Sequence, residues 1–223
     1  MSRVAAGVLE VRHRIAAAAQ RADRDPEAVT LVAVSKDVEP GRILAAAGAG
    51  QHDFGESKAQ QLTAKAGPVG ERAPGVRWHF VGRLQRNKVD QVVGTAVLVH
   101  SVDRRALAEA LDRQAQRLDT VQAVLVQVSV DGDPAKAGCR PEDLPALLTD
   151  LRTLRGVRCT GLMTVPAMDA DPRPAFRALR RLRDEFGLPD LSMGMSDDFE
   201  VAVEEGATIV RVGRAIFGPR QDA

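Results

Sequence analysis

A chain that alternates short apolar runs with helix-patterned segments eight times over has few ways to fold. The runs are residues 30–35, 52–55, 76–81, 96–102, 123–128, 160–165, 190–195 and 207–212, the second and seventh being the least typical. Each is too short for a helix, and most are rich in Val without a polar face. Strands that are apolar on both sides belong to parallel sheets, which are covered on both faces. Helical spacing fills the intervals at 40–49, 57–66, 86–93, 104–118, 142–154, 174–186 and 197–205. A further amphipathic segment opens the chain over 3–24, where Val4, Val8, Val11 and Ile15 recur at steps of three and four. The expectation is an α/β fold, a single (β/α)8 TIM-type barrel with an extra N-terminal helix, in one domain over 1–223. An open doubly wound sheet is the alternative topology. No linker, low-complexity stretch or charge block marks a second domain.

Composition excludes several classes of function. Lys and Arg total 31 against 30 for Asp and Glu, a net charge of +1, so nothing favours a nucleic-acid partner. Aromatic residues are 3% of the 223, and Tyr is absent, which leaves few platforms for stacking bases. Cys139 and Cys159 stand alone, without the pairing of a disulfide framework or a CxxC metal knuckle. No apolar stretch approaches the ~20 residues of a membrane span, and the first residues lack a signal-peptide core. A cytoplasmic protein without a membrane partner is expected.

In a barrel of this kind the chemistry gathers at the C-terminal ends of the strands. Those positions hold Lys36, Gly55-Glu56-Ser57, Gly82, Ser101 and Asp103, Met163-Thr164, Gly194-Met195-Ser196 and Arg211-Val212-Gly213. A lone Lys ending a strand ordinarily snorkels to solvent. Here Arg211 on the neighbouring eighth strand adds a like charge, and partial desolvation joins it. Both lower an amine pKa and make Lys36 a usable nucleophile towards a carbonyl. The last two strands of such barrels often build a phosphate site. The stretches 192–196 and 213–218 have the Ser and Gly content for one, although Ser196 also suits an ordinary helix N-cap. An aldehyde that carries a phosphate fits both features, and pyridoxal phosphate (PLP) is the obvious such ligand, with Arg211 facing the pyridine nitrogen. A barrel that acts on another phosphorylated aldehyde through a Lys imine, as aldolases do, is a further reading.

Other candidates read as structural. His13, His52, His79 and His100 have no metal-ligand spacing with one another or with the cysteines, so no metal is expected. Trp78 reads as core. Arg83-Leu84-Gln85-Arg86-Asn87-Lys88 reads as a solvated helix start, with a lesser case for an anion contact.

The motifs, taken in order, resemble one family. Leu31-Val32-Ala33-Val34-Ser35-Lys36, Phe54-Gly55-Glu56, Trp78-His79-Phe80-Val81-Gly82 and His100-Ser101-Val102-Asp103-Arg104 are followed by Gly161-Leu162-Met163-Thr164, Leu191-Ser192-Met193-Gly194-Met195-Ser196 and Val210-Arg211-Val212-Gly213. They are similar to the signatures of the YggS/PROSC-type pyridoxal phosphate homeostasis proteins, from about residue 30 to 218. The resemblance implies a barrel like the N-terminal domain of alanine racemase, with PLP as a Schiff base on Lys36 and Arg211 at the pyridine nitrogen. It implies phosphate-binding segments containing Ser192, Ser196, Gly213 and Arg214. Ser57, His79, Met163 and Met195 complete the expected cofactor-binding set. Ser57 stands where the family usually has Asn, and Arg214 where it commonly has Thr or Ser. Lys136 in the loop 131–140 also matches the family pattern.

The resemblance implies a PLP carrier in cofactor homeostasis, with apo forms of PLP enzymes as partners. The rival is a racemase or lyase acting on small amino acids. A racemase needs two positioned acid/base groups, and the second in that fold type is a Tyr from a C-terminal β-domain. This chain has no Tyr and runs five residues past Gly218. Efficient catalysis is therefore not expected, no catalytic residue is assigned, and a monomer is the expected state.

Overall fold

The eight strands follow one another around a closed parallel barrel: β1 (Thr30–Val34), β2 (Asp53–Glu56), β3 (Arg77–Phe80), β4 (Ala96–Val102), β5 (Gln122–Gln127), β6 (Val157–Met163), β7 (Asp190–Ser192) and β8 (Ile209–Val212). The computed structural model describes residues 2–131, 137–167 and 170–219, and Lys136 lies outside them. The ring closes where β1 pairs with β8, Val32 opposite Arg211 and Ala33 opposite Val212. Among the described residues eight α-helices lie in the order α1 (Arg3–Arg21), α2 (Pro40–Ala47), α3 (Ala59–Gly70), α4 (Arg105–Arg117), α5 (Leu144–Thr153), α6 (Arg173–Phe186), α7 (Phe199–Glu204) and α8 (Arg214–Phe217). The closed ring excludes the open sheet.

Two apolar layers follow from the period of two along each strand. Residues of one parity, Val32, Leu98, Leu125, Met163 and Ile209, form a small cluster inside the ring. The other parity, including Ala33, Phe54, Val99, Val124 and Val210, packs outward beneath the helices in the main core. Each fully buried aliphatic side chain in these layers stabilises the fold by roughly 2 kcal/mol. Helix α1 buries Val4, Val8, Val11 and Ile15 on one stripe, as its spacing predicts. It lies against α2, α7 and α8, and Arg14 and Arg21 reach Glu200 and Glu204 of α7 at 2.6 and 2.9 Å.

Several segments differ from the sequence expectation. Residues 86–93 form a 3-10 helix over Arg86–Gln91 rather than an α-helix, and Val89 and Val92, three apart, share the buried face as that tighter coil requires. The expected helix 142–154 begins as a 3-10 turn, Pro141–Asp143, before α5 takes over at Leu144. Strand β7 stops at Ser192, three residues short of the expectation. Gly194 adopts φ +93°, and a methyl there would stand 2.5 Å from Ala202 Cβ, so the chain turns into α7 at that point. Helix α8 has no counterpart in the sequence reading. Among the described residues, no helix is long and apolar enough to cross a membrane and no cluster of His, Cys, Asp and Glu suits a metal ion.

Candidate functional site

The residue before Lys36 is fastened on three sides. The Ser35 amide donates to the Gly55 carbonyl at 2.9 Å, and its hydroxyl donates to Glu56 Oε1 at 2.7 Å. Its carbonyl accepts from Lys65 Nζ at 2.7 Å, and the same ammonium donates to Glu56 Oε1 at 2.8 Å. Glu56 is fully buried and Lys65 nearly so, which makes this an interior ion pair between β2 and α3. Asp37 then takes φ +60°, a sharp turn that leaves half-buried Lys36 on the rim at the C-terminal end of β1.

Arg211, on the next strand of the ring, is 5% exposed. Its Nη1 donates to Ser192 Oγ at 2.6 Å and its Nη2 to the Thr164 carbonyl at 2.9 Å. Burial brings its pKa down to about 10, against the attraction of Asp198, so the guanidinium stays charged at neutral pH. Asp198 is itself pushed up by burial while it accepts the Met195 amide at 2.5 Å. Ser196 Oγ accepts the amides of Gly213 and Ala215 at 3.3 and 3.4 Å, which ties the loop after β7 to the loop after β8. Met163 ends β6 within the inner apolar cluster, on the lumen side of Arg211 and Ser192. Half-buried Ser57 follows β2, where its carbonyl oxygen lies 2.3 Å from where a methyl on Gly82 would stand.

Two of the expected cofactor-binding residues make hydrogen bonds inside the lumen. His79 has both ring nitrogens in use, Nδ1 with His100 Nε2 and Nε2 with Asp53 Oδ1, each at 3.0 Å. Ser192 is fully buried between Arg211 and His100 Nδ1, the latter at 2.8 Å, so its hydroxyl serves the lumen. Arg214 is exposed and paired with Asp197. Lys36, Met195, Ser196, Arg211 and Gly213 lie at the C-terminal ends of β1, β7 and β8, which sets an amine, a buried cation and a serine hydroxyl on one rim.

Lys65, Asp53, His100 and Asp198 are parts of this arrangement that the sequence reading did not assign to the site. Asp53 and His100 did carry a signal: both are polar residues at lumen-facing parity in strands. Burial drives the His100 pKa well down, and the charges of His79 and Arg211 add to that.

The alanine racemase N-terminal domain family matches residues 9–221. The chain belongs to this family. Within the alanine racemase N-terminal domain family it is 43% identical, over 220 residues, to a pyridoxal phosphate homeostasis protein of Aquifex aeolicus strain VF5, covering 95% of this chain and 96% of that one. A protein of the same name from Pseudomonas aeruginosa is 41% identical over 225 residues, covering 99% and 97%. PipY of Synechococcus elongatus PCC7942, solved with PLP bound, superposes with a TM-score of 0.81 at 36% identity, over 93% of this chain and all of that one. The motifs of residues 30–218 thus carry the resemblance they implied.

Proposed function

We propose that the chain is a PLP-binding protein of cofactor homeostasis, holding PLP through a Schiff base on Lys36 and turning over no substrate efficiently. The observation that carries this reading is the placement of Lys36 and the desolvated Arg211 at the tops of adjoining strands, β1 and β8. The donor set fits the cofactor. Lys36 supplies an amine, Arg211 a cation, and the Ser196 hydroxyl, which gathers the Gly213 and Ala215 amides, stands between the two loops that would hold a phosphate. PLP, when bound, offers an aldehyde carbon for that amine and a ring that can withdraw electrons. Met163, Met195 and Ser57 would line its place on the rim, with His79 and Ser192 supporting Arg211 from below and Arg214 at the outer edge.

The same geometry argues against efficient racemisation or lysis. Arg211 is a donor that keeps its proton at neutral pH, so a pyridine nitrogen facing it accepts a hydrogen bond and remains unprotonated, which weakens the ring as an electron sink. Moving a proton from one face of an α-carbon to the other needs a second base, and the chain contains no Tyr to supply the one that racemases of this fold use. Lys36 serves as one base at most. The protein is accordingly a monomeric cytoplasmic carrier that hands PLP to apoenzymes.

Borohydride reduction of the purified protein followed by peptide mass mapping tests this. A reduced pyridoxyl adduct on the Lys36 peptide is the expected result, and its absence after PLP is added refutes the site. Rapid deuterium exchange at the α-carbon of alanine or serine would overturn the carrier reading in favour of the racemase or lyase class.

A further inference from the structure

The polar side chains inside the barrel form one continuous chain from its floor to the candidate site. Arg77 and Asp53 open β3 and β2 at the N-terminal end of the ring, joined by two bonds of 2.8 and 2.6 Å. Asp53 meets His79 of β3, His79 meets His100 of β4, His100 meets Ser192 at the end of β7, and Ser192 meets Arg211 of β8. The lumen members are nearly or wholly buried, while Arg77 is 59% exposed and brings the chain to solvent.

The direction of every bond is forced. A guanidinium has only donors, so Arg211 donates and the Ser192 oxygen accepts. Ser192 has no solvent exposure, and His100 Nδ1 is the only other hydrogen-bond partner of its hydroxyl among the described residues. The hydroxyl proton therefore points to His100 Nδ1, because a buried donor without an acceptor is costly. A ring nitrogen that accepts carries no hydrogen, so His100 bears its proton on Nε2 and donates to His79 Nδ1. His79 in turn bears its proton on Nε2 and donates to Asp53. Four consecutive donors run one way, from a cation to an anion. Asp53 remains an anion: burial works against it, but hydrogen bonds from His79 and Arg77 outweigh burial and hold its carboxyl below the usual range.

We infer that Asp53, at the far end of the barrel from Lys36, is a positioning residue for Arg211. Its carboxylate anchors the tautomers of His79 and His100 and so turns the Ser192 lone pairs towards Arg211. The second anchor is the Thr164 carbonyl, and together they fix the plane in which the guanidinium presents its remaining donors to the rim. The role of Arg211 as the partner of a bound ring nitrogen rests on the proposed function, whereas the chain itself does not.

Long-range 1H–15N correlation spectra of the full-length protein read the chain directly, without cofactor. The hydrogen-bond geometry predicts the Nε2–H tautomer for His79 and His100, and for Arg211, held at two points, a guanidinium with separate Nη resonances. Asp53→Leu removes the terminal acceptor, so both rings lose their single tautomer, the Arg211 resonances merge, and PLP binding weakens on the order of tenfold. Asp53→Asn, whose amide oxygen still accepts from His79, restores most of all three. An Nδ1–H tautomer or an imidazolium at either position in the unsubstituted protein overturns the inference, as does Asp53→Leu leaving rings and guanidinium unchanged. Should Asp53→Leu fail to fold, the spectra of the unsubstituted protein and of Asp53→Asn still decide. Intact tautomers in a protein that binds no PLP would support the chain and refute the proposed function.

Discussion

Replacing Lys65 with Met is the sharpest test of how the Lys36 turn is held. Lys65 Nζ donates to Glu56 Oε1 and to the Ser35 carbonyl, and both side chains of the pair are withdrawn from water. Met matches the length of Lys but carries no charge, so Glu56 would remain as a buried carboxylate with only the Ser35 hydroxyl on it. Glu56 Oε2 already lacks a partner, which leaves no second donor among the described residues to compensate. Breaking a buried pair from one side costs about 3–5 kcal/mol, since the surviving charge keeps its desolvation penalty. In a chain of this size each kcal/mol moves the melting temperature by about 2–4 °C, so Lys65→Met should lower it by roughly 6–20 °C. Removing both charges, in Lys65→Met with Glu56→Gln, should recover at least half of the loss, because a neutral pair has no such penalty. Denaturant titration of the parent, the two single variants and the double variant closes the cycle. A single-variant loss below about 1 kcal/mol, or strict additivity, would show that the pair carries little and would refute the reasoning.

Three other outcomes are expected. Gly194→Ala should destabilise the fold by about 2 kcal/mol or more in urea titration, because φ +93° is strained for Ala and the methyl meets Ala202 and the Phe199 backbone at 2.5 and 2.9 Å; a neutral substitution would mean that the loop after β7 yields freely. The Asp53 pKa is lower folded than unfolded, so the unfolded chain binds more protons on acidification. The stability from Asp53 is present above the ordinary Asp value of about 4 and is lost as pH falls through the folded value, and Asp53→Asn should flatten that part of the stability curve. Cys139 has its thiol pushed up to about 12 by burial and by Asp143 and Asp103, and Cys159 is raised mainly by burial. Neither should react with a disulfide reagent at neutral pH until the protein unfolds, and fast labelling of the native protein would contradict this.

The strands and the rim could be read from the residues because both depend on local pattern. Parallel strands buried on two faces must be continuously apolar, and Lys36, Ser196 and Arg211 stand where such runs end. The interior chain could not be read this way. It joins Asp53, His79, His100, Ser192 and Arg211 from five strands, and their heights in the lumen follow from register: Gly55 beside His79, His79 beside Leu98, Val32 beside Arg211. Register in a closed ring is set by the whole ring, and three of its pairings are shifted by irregularities, at Trp78/His79, at Val99/Val102 and at Val124/Leu125. Lys65 was hidden for a related reason. It lies within the expected helix 57–66, and only the packing of α3 on β2 shows that its ammonium ends inside. Ser192 and His79 stand in the motifs that drew attention to them, and the structure adds their hydrogen bonds inside the lumen, which no motif shows.

The seam between β1 and β8 has a consequence for how the protein comes into being. Lys36 stands just after β1 and Arg211 in β8, the first and eighth strands of the ring to be made, and Arg14 of α1 meets Glu200 of α7. For most of synthesis β1 has only one neighbour, β2, and its other edge stays open. That edge is filled only when the eighth strand emerges, so the rim that brings Lys36 beside Arg211 is assembled only after β8 has been translated.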